Sequence, residues 1–136
     1  VNRLPGHIAA IDRHGSIALV DAVAADQCFT AMLIGTGNET ASWQAGMPVT
    51  LLFKEAEVSL AKDLAGQISM RNRLACRVTA IEQGRLMSKV VLDFRGHEVI
   101  SLITTRSAQA LAIVPGDAVE ALIKANEMTL VPEPQA

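Results

Sequence analysis

Displaced by 70 residues, the sequence overlays itself without a gap, and this constrains the fold more than any single motif does. Asn2-Arg3-Leu4 falls on Asn72-Arg73-Leu74, Ala10-Ile11-Asp12 on Ala80-Ile81-Glu82, and Val20 on Val90. Gly46-Met47-Pro48-Val49 falls on Gly116-Asp117-Ala118-Val119, Leu52-Phe53-Lys54 on Leu122-Ile123-Lys124, and Glu57 on Glu127. Apolar positions, turn glycines and one lysine recurring in a single register are the mark of a duplicated supersecondary unit. The informative positions are those where the copies differ. Val1 stands where the second copy has Arg71, Ile34 where it has Thr104, and Gly37 where it has Ser107. The second copy holds a polar set, of which the first keeps only the lysine.

The repeat divides the 136 residues into lobes of about 65 residues, each marginal alone, so the lobes must pack on each other or on another chain. The expected division is 1–63 for the first lobe, 64–66 for the linker, 67–131 for the second lobe and 132–136 for a loose tail. Half the residues are apolar and 3% aromatic, the profile of a soluble globular chain with a small-residue core. A net charge of −2 provides no broad positive field, so any anion must be held by local geometry rather than by bulk charge. Cys28 and Cys76 stand at non-equivalent repeat positions and form neither a disulfide framework nor a CxxC metal site. They read as buried free thiols, which points to a cytoplasmic setting. No apolar run reaches the roughly 18 residues of a membrane span, and no signal peptide is present. The start at Val1 fits a processed protein or an excised portion of a longer one.

Turn signals cut the first copy into short strands at Gly6–Asp12, Ile17–Ala24, Gln27–Ile34, Val49–Lys54 and Val58–Ala61. Gly35-Thr36-Gly37 breaks the pattern, and Asn38–Gln44 is expected to make one or two helical turns. The second copy repeats the layout with strands at Cys76–Glu82, Leu86–Phe94, His97–Ile103, Ala118–Lys124 and Met128–Val131 and a helix over Ser107–Leu111. Five short strands with a helix between the third and fourth predict an all-β chain with short helices, built as two tandem five-stranded OB-like barrels.

Thr104 precedes the predicted helix and is placed to cap it, with Ser107 three residues on. A helix start offers unpaired N–H groups and a partial positive charge, and the two hydroxyls add donors. Such hydroxyls most often serve only as caps. Lys124 ends an apolar strand, as Lys54 does in the other copy; a lysine there is usually a solvated edge charge. Ser69 and Arg71 alternate on an extended lead-in segment and so point to one side. Together these residues offer two cations, three hydroxyls and backbone amides with no carboxylate, an inventory for holding a small doubly charged oxyanion without covalent chemistry.

At these residues the sequence resembles the molybdate-binding Mop, or TOBE, domains, in particular their tandem di-domain, molbindin-like form. The family's Ser-Ala-Arg-Asn motif is matched by Ser69-Met70-Arg71-Asn72, its Ile-Thr-x-x-Ser by Ile103-Thr104-Thr105-Arg106-Ser107, and its closing Lys-Ala by Lys124-Ala125. The first copy looks like the degenerate lobes of molybdate-responsive regulators and molybdate importer ATPases. The resemblance implies a homo-oligomer, dimer or trimer, with molybdate or tungstate held at subunit interfaces. Ser69, Arg71, Lys124 and Ala125 of one chain would then meet Thr104 and Ser107 of a neighbour, with Lys54 as a secondary candidate.

Nucleic acid is the natural rival ligand for a small barrel, but it needs basic grooves and stacking aromatics. Trp43, Phe29, Phe53 and Phe94 all lie in apolar contexts that read as core. No spacing links His7, His14 or His97 to a cysteine nucleophile, and neither a P-loop nor a Rossmann fingerprint is present, so the chain does not read as an enzyme. His97, in a turn, reads as a surface residue. The stronger rival is an assembly module that oligomerises without a ligand.

Overall fold

The computed structural model describes residues 1–35 and 39–133. Ten strands form two five-stranded antiparallel sheets. In the first copy these are β1 (Asn2–His14), β2 (Ile17–Ala24), β3 (Gln27–Ile34), β4 (Pro48–Phe53) and β5 (Ser59–Ala61). In the second they are β6 (Asn72–Gln83), β7 (Met87–Phe94), β8 (His97–Thr104), β9 (Ala118–Ile123) and β10 (Thr129–Pro132). Among the described residues one α-helix forms, α1 (Thr105–Ala110), directly after β8.

The predicted fifth strands form, but each pairs with the other copy's sheet. The orders are β10-β4-β1-β2-β3 and β5-β9-β6-β7-β8, with Thr129 opposite Leu52 and Ser59 opposite Leu122. The crossing begins just after β4 and β9, where 3-10 turns at Glu55–Glu57 and Ala125–Glu127 redirect the chain. Val58 is then buried in the common core, and its carbonyl accepts from Ser101 Oγ at 2.7 Å. The lobes are therefore continuous in sequence but not in their sheets.

The long strands β1 and β6 bend at equivalent bulges, between Ile8 and Ala10 and between Val78 and Ala80. Gly46 and Gly116 hold these bends. With φ of +89° and +95°, they donate their N–H groups to Ile8 O and Val78 O, both at 2.7 Å. Alternation along the strands sends Leu4, Ile8, Val20, Leu51 and Phe53 of one copy and Leu74, Val90, Leu92, Phe94 and Ile123 of the other into one continuous core. Phe29 meets Phe94 edge-on across the two copies at 6.2 Å.

Two buried asparagines pin the copies together. Asn72 accepts from Thr30 N and donates to Thr30 O, both at 2.9 Å. Asn2 does the same at Ile100, both at 2.8 Å. Both pairs are repeat-equivalent, so an approximate twofold axis relates them.

Two expectations need correction. The segment 39–42 makes turns instead of a helix, with Trp43 N bonded three residues back to Thr40 O and Arg13 donating to the Thr40 and Trp43 carbonyls; Asn38, Thr36 and Gly37 lie outside the described residues. Cys28 is exposed rather than buried, whereas Cys76 is buried as expected, and burial pushes its thiol up to about 12. His97 begins β8, as the expected strand His97–Ile103 has it, and is half-buried. Phe29, Phe53 and Phe94 are buried, and Trp43 packs against the core.

Candidate functional site

The second copy presents two separate polar ends. At one, β6 begins at Asn72 opposite Ile123, the last residue of β9, so the antiparallel register sets Arg71 beside Lys124. Both side chains are exposed, and neither makes a hydrogen bond or ion pair among the described residues. Arg73, two residues on, is committed: it forks onto Glu120 with 2.7 and 2.8 Å bonds. Ser69 is exposed at a bend just before this end, and Ala125 is half-buried as the first residue of the 3-10 turn that Lys124 precedes.

Lys124 also has an acidic neighbour, Glu127. Burial raises the Glu127 carboxyl above its ordinary value; a hydrogen bond with Glu57 and that residue's charge add to the shift, while Lys124 opposes it. Glu57 and Glu127 are repeat-equivalent, so the two carboxyls meet near the approximate axis.

At the other end, β8 finishes at Thr104, opposite Met87, and Thr104 caps α1. Thr104 Oγ1 accepts from Ser107 N at 3.1 Å and donates to Ser107 Oγ at 2.8 Å, which leaves the Ser107 hydroxyl proton free to point outward. The helix start offers less than the sequence suggested. Thr105 N already donates to Leu86 O, Ser107 N is taken by the cap, and α1 is only 6 residues long. Thr105 itself is buried, its hydroxyl bonded to Ser88 and to Gly84 O. The two exposed hydroxyls, rather than a helix dipole, are the donors here.

These ends do not meet within the copy. Gln83 pairs with Ser88, one residue on from the Met87 that faces Thr104, so the hydroxyl end lies at the far end of β6 from Asn72. Eleven residues of extended strand reach roughly 35 Å, shortened somewhat by the bulge. The hydroxyl end instead faces the first copy's exchanged segment: Ser107 lines a groove with Ala56, Val58, Ser59 and Leu60.

The first copy's cation end is different in kind. Lys54 is exposed and unbonded like Lys124, but the next residue is Glu55 where the second copy has Ala125. The Glu55 carboxylate lies 2.9 Å from the Val1 ammonium. Sequence reading passed over Glu55, although the 70-residue overlay displays the Glu-for-Ala exchange directly. Among the described residues no cluster of three or more His, Cys, Asp or Glu could hold a metal ion, and no helix is long and apolar enough to cross a membrane.

The TOBE domain family matches residues 68–130, which covers both polar ends. The second copy is a TOBE domain. Around it, the whole chain superposes on the cytoplasmic molybdate-binding protein ModG, in a crystal form with molybdate bound, with a TM-score of 0.91 and 27% identity over 97% of this chain and 96% of ModG. A molybdenum transport protein ModE from Herbaspirillum seropedicae is 30% identical over 127 residues, 91% of this chain. The molybdenum import ATP-binding protein ModC of Brucella abortus (strain 2308) is 41% identical over 80 residues, 58% of this chain. The matched segments are 47% of the ModE length and 22% of the ModC length, so this chain spans less than half of either relative. The TOBE domain here is thus one of two copies in a ModG-like fold, and it is the copy that keeps the polar set.

Proposed function

We propose that the chain binds molybdate or tungstate reversibly and without covalent chemistry, in the cytoplasm, as part of molybdenum homeostasis. The observation that carries this is the geometry of the second copy: an unbonded Arg71–Lys124 pair at one end and the Thr104–Ser107 hydroxyl pair at the other. Each is half of an oxyanion site, and they lie too far apart to close on one anion. A homo-oligomer brings the cation end of one chain, with Ser69 and Ala125, to the hydroxyl end of a neighbour, and closed symmetry makes all such sites equivalent. The molybdate-bound ModG structure supports the choice of ligand. Lys54, beside Glu55 and without Thr104 or Ser107 counterparts, contributes at most a secondary contact.

A ligand set without a carboxylate has no acceptor for the proton of hydrogen phosphate, and a cavity sized for molybdate makes poorer contacts with sulfate. Calorimetric titration of the chain with molybdate, tungstate, sulfate and phosphate tests this. Binding of the first two, weak sulfate binding and silent phosphate are expected. Silence toward all four, with an intact oligomer, would leave an assembly module in place of an oxyanion binder.

A further inference from the structure

One side chain outside both polar ends ties the exchanged strand to the hydroxyl pair. Lys62 follows β5 immediately, so strand exchange delivers it to the second copy's sheet. Its ammonium donates to Leu111 O at 2.9 Å and Ala112 O at 3.1 Å, and lies 3.0 Å from Asp117 Oδ2. The same Asp117 oxygen accepts from Val114 N at 2.9 Å. Lys62 therefore closes the C-terminal end of α1, where carbonyls lack helical partners and a cation is favourable. Leu111 N in turn bonds Ser107 O at 3.0 Å, which places Ser107 directly above the clamp.

The other copy supplies the control. Pro132 stands where the second copy's clamp has Lys62, and Met47 where it has Asp117. Neither can make these bonds. The copy with the clamp is the one that carries both hydroxyls, where the other has Ile34 and Gly37. The lysine and aspartate side chains are only 28% and 21% exposed, so the pair is better shielded than an ordinary surface ion pair.

We infer that Lys62 is a positioning residue for oxyanion binding: by clamping the end of α1 it fixes the Thr104–Ser107 hydroxyl pair in the orientation that receives the anion. This rests on the oxyanion reading above. It also makes the link between the copies part of the binding machinery, since the first copy's exchanged strand sets the second copy's donors.

The test is calorimetry with sodium molybdate on the full chain, carrying Lys62→Met or Lys62→Arg, in the native background and in a Thr104→Ala, Ser107→Ala background. Lys62→Met should weaken binding about tenfold, as loss of an orienting partner does at ligand sites. Lys62→Arg should restore most of the affinity. In the background without hydroxyls Lys62→Met should change the remaining affinity little, because nothing is left to position. A folded Lys62→Met chain with native affinity, or an equal loss in both backgrounds, would overturn the inference. Should Lys62→Met not fold, Asp117→Asn loosens the same clamp more gently; it must lower affinity too, or the inference is lost. Failure of the unsubstituted chain to bind molybdate removes the oxyanion reading and this inference together, an outcome distinct from the others.

Discussion

The asparagine pins give the sharpest stability prediction. Asn72 is fully buried, and its amide supplies both partners of the Thr30 backbone on β3, the edge strand of the first sheet. Asn72→Leu fits an apolar side chain of similar size into the same space but strips Thr30 N and O of their partners. Each buried group left unpaired costs about 1–3 kcal/mol, and because Thr30 is half-buried, water recovers part of that, for a net loss of about 2–4 kcal/mol. For a chain of this size that corresponds to a fall in Tm of very roughly 6–15 °C. Asn2→Leu should cost a similar amount at Ile100, because the geometry is repeated there. Urea unfolding followed by tryptophan fluorescence at Trp43 and by circular dichroism should show the loss as a lower midpoint with one cooperative transition, since both sheets share one core. A loss below about 1 kcal/mol for both substitutions would refute the argument that the side-chain amides, rather than the apolar core, hold the two edges in place.

Arg71→Ala should weaken molybdate binding by about 1.5–3 kcal/mol, the range for a hydrogen bond to a charged group, while Lys54→Ala should cost much less; equal losses in calorimetry would undo the contrast between the copies. Mixing an Arg71→Ala chain with a Thr104→Ala, Ser107→Ala chain should restore high-affinity sites at some mixed interfaces, and a sedimenting monomer with full affinity would exclude shared sites. The melting temperature of the unsubstituted protein should climb with molybdate concentration, and a flat response in thermal-shift assays would count against ligand bound in the folded state. Proton linkage runs in two directions. Arg73 lowers the Glu120 carboxyl, so its stabilising contribution is full above the ordinary carboxylate value and fades as pH falls through the lowered one. Glu127 is raised, chiefly by burial, so it opposes folding increasingly as pH rises from its ordinary value through the raised one. Glu127→Gln should therefore raise Tm at pH 7 and lose that advantage near pH 4; an equal gain at both would contradict the assignment.

The strands were legible because their signals are local: alternating burial and turn residues locate β2, β3, β7 and β8 to within a residue or two. The starts of β1 and β6 were not, since Asn2 and Asn72 stand apart from the apolar alternation and hold their place only through Ile100 and Thr30, 98 and 42 residues away. The helix of the second copy was anticipated from Thr104 and its cap, which the structure contains. In the first copy the described residues 39–42 of the expected helix make turns, which Arg13, far off in sequence, joins through the Thr40 and Trp43 carbonyls. Similarly, the pairing of Arg71 with Lys124 could be suspected from two motifs, but only the β6–β9 register brings them side by side.

Strand exchange escaped the sequence for a different reason. Because the copies are so alike, β5 has two nearly equivalent edges to join, β4 of its own copy and β9 of the other, and the hydrogen bonds of the ladder distinguish them little. The choice is made by side chains that the repeat does not share. Ser101 bonds the Val58 carbonyl, whereas its counterpart in the first copy is Ala31, which has no hydroxyl. Lys62 then finds Asp117 only in the second copy's sheet. A duplicated unit that closed each sheet on itself would have left two marginal lobes joined by a short linker. Exchange instead merges them into one core, so the scaffold of the first copy is required even where its own ligand set has been lost. That is why Val1, Ile34 and Gly37 can depart from the polar pattern while the apolar positions, the bulges and the pinning asparagine of the same copy do not.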